Sequence, residues 1–322
     1  MPSTPGPALD TGARERRRCL LALSAALALP LPPGLARAAE PPLSFGPLKL
    51  EVPFAPTNFT LIDTMLRIAN VTARDYVIDL GSGDGRINIA AARDWGASGI
   101  GYELDPALVQ ESRELARVAG VAERVRFSER DLFEADLSAA TVVTLYLGKR
   151  VNLRVRPKLL AELRPGTRVV SHDFDLGDWK ADLHIRLRDY GSQVFFWWVP
   201  ARVAGRWSLD LDLPGGGRRA HEIEFTQQFQ ELDAQVRASG ARVGLRDLRL
   251  AGDRLTFIMM EEVAGAFAFR RFFGRVVEAG AAIEGWLRHE NPGRPTEAPF
   301  RMVRTAKAEP GPPGAWTFPD KG

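Results

Sequence analysis

Three glycines at alternate positions, Gly81, Gly83 and Gly85, close the run Val77-Ile78-Asp79-Leu80-Gly81-Ser82-Gly83-Asp84-Gly85-Arg86, and Glu103 stands eighteen residues beyond the last of them. Alternating glycines let the backbone take positive φ and let a ligand approach the main chain where a Cβ would collide. A side chain at Gly81 or Gly83 is expected to fill that ligand's space. Glu103 ends the next apolar run, Gly99-Ile100-Gly101-Tyr102. That places its carboxylate at the carboxyl end of a neighbouring strand, suited to accept from two vicinal hydroxyls of a ribose. The spacing describes a strand, a tight turn and a helix around a nucleotide-type cofactor.

Two cofactors compete for such a turn. The dinucleotide fingerprint needs a third glycine for close packing of helix on strand, and here that position is Arg86. Asp79, two places before the first glycine, would repel a pyrophosphate. S-adenosylmethionine brings an ammonium, a sulfonium and no phosphate, so the charge pattern favours it. Asp131, just past a strand expected over Arg124 to Phe127, falls on the same sheet edge, where it could accept from an adenine amino group while Leu132 or Phe133 covers the ring. The competing reading of Asp131 is a helix N-cap. The turn residues Gly81, Ser82, Gly83 and Gly85, with Asp79, Glu103, Asp131 and Leu132, are thus the candidate cofactor contacts.

Methyl transfer from such a sulfonium to a nucleophile is an in-line displacement whose leaving group needs no proton, so neither oxyanion hole nor metal is required. Alignment dominates, and positioning of this kind is worth up to about 7 to 11 kcal/mol. Where the acceptor is an amine, it must arrive neutral, which burial beside a cation promotes. Tyr146, His172 and Asp173 are the side chains expected nearest that amine. Tyr146 would line the channel, and His172 or Asp173 would orient the ammonium or receive its proton. Their structural alternatives are a ring packed on the cofactor, a satisfied core histidine and a loop cap. No Asn-Pro-Pro-Tyr or Asp-Pro-Pro-Tyr run is present, which weighs against nucleic-acid amino groups and glutamine amides as acceptors.

The elements that must position these residues follow from periodicity. Five prolines, Pro41, Pro42, Pro47, Pro53 and Pro56, predict an extended lead-in, and Phe59 to Ala69 has helical spacing. Strands over Tyr76 to Leu80, Ser98 to Glu103, Arg124 to Phe127, Thr141 to Leu147 and Thr167 to His172 then alternate with helices over Ile87 to Trp95, Pro106 to Ala119 and Val151 to Leu163. The fold class is therefore α/β, a Rossmann-like parallel sheet with helices on both faces, whose ligands lie beyond the carboxyl strand ends. His184 to Leu187 and Gln193 to Val199, around Asp189-Tyr190-Gly191, predict an antiparallel hairpin that ends the sheet. Short alternating runs from Val203 onward predict a small antiparallel β barrel or sandwich. Gly205-Arg206-Trp207 resembles the opening of lipocalin-like barrels.

With 322 residues the chain is long enough for two domains. The expected boundaries are 1–38, a signal peptide; 41–200, the cofactor-binding domain; 201–306, the β-rich domain; and 307–322, a proline-rich disordered tail. Arg14, Arg16, Arg17 and Arg18 precede the apolar run from Cys19 to Leu29, and Ala36-Arg37-Ala38 offers a small-x-small cleavage site. The arginines also fit a twin-arginine signal, whose route carries folded proteins. Its removal takes five arginines and two acids from the 43 basic and 40 acidic residues, which leaves a mature net charge of zero. Nothing then argues for a nucleic-acid surface. The only cysteine, Cys19, leaves with the signal, so the mature chain has no thiol or disulfide chemistry. The signal predicts an exported or membrane-associated protein on the periplasmic side. That expectation conflicts with a cofactor made in the cytoplasm.

On these residues the chain resembles the class I S-adenosylmethionine-dependent methyltransferases, and among them the ATP synthase c-subunit lysine N-methyltransferase family and its bacterial relatives. The resemblance covers about residues 48 to 200. It rests on Val52-Pro53-Phe54-Ala55-Pro56-Thr57, on Asp79 to Arg86, on Gly101-Tyr102-Glu103-Leu104-Asp105-Pro106 and on Arg168-Val169-Val170-Ser171-His172-Asp173-Phe174. It implies that Asp79, Gly81, Gly83, Glu103 and Asp131 contact the cofactor and that the loop around Pro56 and Thr57 closes over its methionine end. It implies a protein lysine as methyl acceptor, with membrane proteins as a target class. Two other readings stand beside it: a small-molecule acceptor such as a lipid or quinone held by the β-rich domain, and an exported binding protein in which the cofactor half is a retained scaffold.

Overall fold

The computed structural model describes residues 54–213, 216–263, 265–290 and 296–308. The expected signal at 1–38, the lead-in up to Pro53 and the tail from 309 lie outside the described residues. Four helices are present among those described: α1 (Phe59–Ile68), α2 (Arg86–Trp95), α3 (Pro106–Val118) and α4 (Lys149–Glu162). Seven strands build the first sheet: β1 (Tyr76–Leu80), β2 (Ser98–Glu103), β3 (Val125–Glu129), β4 (Val142–Leu145), β5 (Arg168–His172), β6 (Leu183–Leu187) and β7 (Ser192–Trp198).

Their order is β3-β2-β1-β4-β5-β7-β6. All neighbours from β3 to β5 are parallel, and β7 runs antiparallel between β5 and β6. The order reverses between β1 and β4, so the crevice beyond their carboxyl ends is the expected ligand position. Alternation along the central strands feeds two cores. Ile78, Leu80, Val143 and Leu145 face α4 through Val155 and Leu159, while Val77, Val142 and Val170 face Leu61, Ile62, Met65 and Leu66 of α1. The expectation of a parallel sheet covered on both faces is borne out.

Local chemistry sets the helix starts. Asn58 caps α1 by accepting from Thr60 N at 2.8 Å, and Asp105 caps α3 by accepting from Ala107 N at 2.8 Å, with Pro106 in the first turn. At α2 the cap is Gly85 in the left-handed region, φ 77°.

The second sheet has eight strands: β8 (Gly205–Asp212), β9 (Arg218–Gln228), β10 (Glu231–Ala238), β11 (Val243–Ala251), β12 (Arg254–Val263), β13 (Ala266–Val277), β14 (Ala282–His289) and β15 (Glu297–Lys307). They form an antiparallel meander whose last strand returns to pair with β8, leaving β10 and β11 as the edges. Among the described residues no ladder joins those two edges, though they lie side by side. Of the two expected architectures the structure takes a nearly closed barrel, because the β15–β8 pairing joins all eight strands into one sheet whose edges, β10 and β11, curl round to lie side by side, instead of two sheets stacking. Lys307, placed by the sequence reading in the tail, pairs with Gly205 and belongs to β15. Trp207 fills the interior, donates Nε1 to Val203 O at 2.8 Å and lies under the guanidinium of Arg304, 4.5 Å from its ring centre.

Several side chains tie the sheets together, among them Lys180, which pairs with Glu231 of β10 at 2.6 Å, and Gln230, whose Nε2 donates to Lys180 O at 2.6 Å. Phe229, in the β9–β10 hairpin, packs in the core of the first sheet and stacks on Trp179 with ring centres 6.0 Å apart. Its backbone adopts φ 55° to do so, a conformation rare for a bulky residue.

Candidate active site

The turn after β1 is held by backbone geometry that only glycine tolerates without strain. Gly81 and Gly83 have φ of 73° and 54°. A Cβ at Gly81 would lie 2.6 Å from Leu147 and one at Gly83 would lie 2.5 Å from the Phe54 ring. At both glycines the nearest obstruction is therefore a protein side chain and not the ligand space expected from the alternating spacing.

Glu103 organises this turn. Its Oε2 accepts from Gly83 N at 2.8 Å, and its Oε1 accepts from Leu104 N at 2.7 Å and Asp105 N at 3.0 Å. The carboxylate expected to read a ribose is therefore already fixed in place by three amides, with acceptor capacity left on Oε2.

A cleft of about 220 Å³ opens beside it. Pro56, Thr57, Asp79, Gly81, Ser82, Gly83, Glu103, Asp131, Leu132 and Tyr146 all line it. Gly85, also expected to contact the cofactor, does not: a Cβ there would meet Phe127 at 2.5 Å and Ser112 at 2.8 Å, so its role is to pack α2 against β3 and α3. Asp131 accepts from Phe133 N at 2.9 Å in a short Asx turn with no helix following, which sets aside the N-cap alternative.

The polar atoms left over test whether S-adenosylmethionine fits. Asp79 is 2 % exposed; its Oδ1 accepts from Thr144 Oγ1 at 2.5 Å, and its Oδ2 is buried without a partner. Ser82 Oγ is likewise buried and unpartnered. Burial, reinforced by the nearby Glu103 and Asp84 carboxylates and opposed by Thr144, pushes the Asp79 carboxyl up to about 7. A cation beside Oδ2 would reverse that shift. The residues present thus suit a ligand carrying an ammonium, a diol and an adenine. Asp79 would hold the ammonium, Glu103 the ribose, and Asp131 with Leu132 the base.

Arg86 does what the missing third glycine could not. Its guanidinium pairs with Asp84, Nη2 to Oδ2 at 2.5 Å, and donates Nη1 to Thr57 O at 3.1 Å, so the lead-in loop is latched over the turn. The glycine spacing gives no sign of this latch, because its far end, Thr57, lies 29 residues away along the chain.

Behind the cleft stands an aromatic layer. Tyr146, one residue past β4, stacks on His172 with ring centres 3.9 Å apart and on Phe174 at 6.1 Å. Of the three expected catalytic residues, only Tyr146 lines the cleft; His172 is 4 % exposed and lies behind its ring. His172 Nδ1 contacts Thr57 Oγ1 at 3.2 Å, and its Nε2 lies 3.3 Å from both Ser192 Oγ and Asp173 Oδ2. Burial lowers the imidazole pKa against the pull of Asp173, so the ring is neutral at neutral pH. Asp173, at φ 60°, spends Oδ1 on Gln193 N at 2.7 Å. The contacts of Thr57, Thr144 and Ser192 were not visible in the sequence, because each partner is remote along the chain. Among the described residues no group of three or more His, Cys, Asp or Glu is placed to hold a metal ion.

A β3-β2-β1-β4-β5-β7-β6 sheet with a glycine turn and an acidic strand tip at its switch point defines a class I S-adenosylmethionine-dependent methyltransferase domain. Comparison with known proteins narrows the class. The ANTKMT methyltransferase domain matches residues 79–183. A protein-lysine N-methyltransferase of Saccharolobus islandicus (strain REY15A) is 42 % identical over 139 residues, covering 43 % of this chain and 86 % of that one. The ATP synthase c-subunit lysine N-methyltransferase of Xenopus laevis is 35 % identical over 163 residues, 51 % of this chain and 69 % of that one. A solved structure described as an RNA methyltransferase from Salinibacter ruber in complex with S-adenosyl-L-homocysteine is 53 % identical, covering 45 % of this chain and 93 % of that chain, with a TM-score of 0.44. The chain belongs to the protein-lysine N-methyltransferase family of which the first two are members. Its eight-stranded sheet lies outside the matched domain.

Proposed function

We propose that the chain transfers a methyl group from S-adenosylmethionine to the neutral amine of a lysine side chain in a protein, and that its targets include membrane proteins. The observation that carries the reading is the Tyr146–His172 stack, which forms an aromatic wall to the cleft in which Asp79 presents an unpartnered carboxylate oxygen. An aromatic wall beside a sulfonium keeps the incoming amine desolvated, which lowers its pKa and frees its lone pair. Alignment of that lone pair with the methyl–sulfur bond then supplies most of the rate. The lysine acceptor rests on the named activity of the Saccharolobus islandicus relative, and the membrane-protein target on that of the Xenopus laevis relative.

The experiment is to incubate the protein with methyl-labelled S-adenosylmethionine and separate membrane and soluble extracts. Label recovered as methyl-lysine after acid hydrolysis of protein, enriched in the membrane fraction, is the expected result. Label confined to RNA or to small molecules overturns the lysine reading, and methyl-lysine confined to soluble proteins overturns the membrane target.

A further inference from the structure

The inner face of the second sheet carries charge where a closed barrel ordinarily packs methyl groups. Glu261 of β12, Arg270 of β13 and His221 of β9 are all buried there. Glu261 Oε2 accepts from Arg270 Nη1 at 2.5 Å, while its Oε1 accepts from Arg219 Nη1 at 2.6 Å and lies 3.0 Å from His221 Nε2. Burial alone would raise the Glu261 pKa, but the Arg219, Arg270 and His221 contacts outweigh it and keep the group ionised. Two guanidinium ions therefore face one carboxylate, and the layer holds a positive charge that Glu261 does not cancel.

Arg270 is 1 % exposed, and both its Nε and its Nη2 are buried without a hydrogen-bond partner. These two nitrogens form the side edge of the guanidinium, the fork that grips both oxygens of a planar oxyanion in parallel. Leaving a desolvated charged donor unmet is costly. A single water would meet the donors without balancing the charge. The approach is apolar: Leu232 and Val236 of β10 and Val243 and Leu245 of β11 line the barrel but are only half-buried, unlike the fully covered Phe257 and Phe272. They flank the one seam of the barrel that no ladder closes among the described residues.

We propose that this barrel holds a carboxylate-bearing ligand, seated on the Nε–Nη2 edge of Arg270 and entering between β10 and β11. Arg219 and His221 are engaged with Glu261, so Arg270 is the residue that reads the ligand. The site does not depend on the methyl acceptor proposed above, and it lies on a different sheet from the methyl-donor cleft.

The test titrates the full chain and its Arg270→Lys variant with sodium acetate and, separately, with sodium decanoate below its micellar concentration. The readouts are the arginine Nε–H resonances and the thermal midpoint. Lysine keeps a cation opposite Glu261 but lacks the fork. The expected result is a saturable shift of one protected Nε–H in the wild type, with affinity about tenfold or more weaker in Arg270→Lys. Tighter binding of decanoate assigns the ligand to an acyl carboxylate; equal binding assigns it to a free small carboxylate. No saturable response to either ion in the wild type overturns the proposal, as does equal affinity in a folded Arg270→Lys protein. Should that variant fail to fold, the wild-type resonance decides alone: a protected arginine Nε–H that stays unmoved under both titrations overturns the site. Binding of S-adenosylmethionine, measured in parallel, is expected to be the same in both proteins.

Discussion

The Arg86 guanidinium donates to the carbonyl of Thr57 at 3.1 Å across 29 positions of sequence, and through Thr57 Oγ1 the same loop reaches the ring of His172. One charged side chain therefore couples the glycine turn to the loop that covers the cleft. Replacing Arg86 with Gln removes the latch and the pair with Asp84 while leaving the fold, since the side chain is only partly buried. Affinity for S-adenosylmethionine is expected to fall about tenfold, in line with loss of a charge-assisted hydrogen bond worth about 1.5 to 3 kcal/mol. Titration calorimetry reads this directly, and proteolysis after residues 54 to 58 should accelerate in parallel. Unchanged affinity would show that the loop closes without Arg86.

Asp79 ties cofactor binding to pH. Its carboxyl is pushed up to about 7 in the folded protein, chiefly by burial, against an ordinary value of 3.8. The folded state therefore holds its proton more tightly than the unfolded chain between those values. This contribution to stability is fully present below about pH 4 and is lost as pH rises through about 7. Asp79→Asn removes that loss, so the ligand-free variant should be more stable than wild type at pH 8, by an amount on the order of a few kcal/mol, while binding S-adenosylmethionine at least about a hundredfold more weakly. In the wild type, binding at pH 6 should release protons, detected as buffer-dependent heat. An Asn variant that binds normally would remove Asp79 from the ammonium site.

Tyr146 offers its ring to the cleft, and the ring is what the proposed reaction uses. Tyr146→Phe should keep kcat within about threefold, whereas Tyr146→Ala should lower it about a hundredfold by loosening the near-attack geometry, with donor affinity little changed. Steady-state kinetics with a methylated-lysine readout distinguishes these. A large loss in the Phe variant would move the function from the ring to the hydroxyl.

Phe229 joins the two sheets, and its truncation should be felt by both. Phe229→Ala removes a ring that is 2 % exposed and stacked on Trp179, at a cost of about 3 to 5 kcal/mol. Relief of the positive φ offsets little of this, because alanine is also strained there. Calorimetry should show one unfolding transition in the wild type and two in the variant. A single unshifted transition would mean that the sheets do not depend on this contact.

What the amino-acid order determined by itself was local and periodic. Alternating glycines after an apolar run, an acid at the next strand end and the change from helical to strand spacing after Trp179 were enough to place the turn, Glu103 and both sheets, because each depends on neighbours a few residues away. The tertiary structure decided what those residues touch. Gly85 turned out to pack a helix instead of lining the cleft, since its space is taken by Phe127 and Ser112 from elements 27 to 42 residues distant. His172 passed from the reaction path to a place behind Tyr146, and Asp79 acquired its raised pKa from burial under the sheet edge. Burial and long-range contact, which set pKa and access, arise only when distant segments meet. For the same reason the unpaired guanidinium edge of Arg270 has no signature in the spacing of residues along β13.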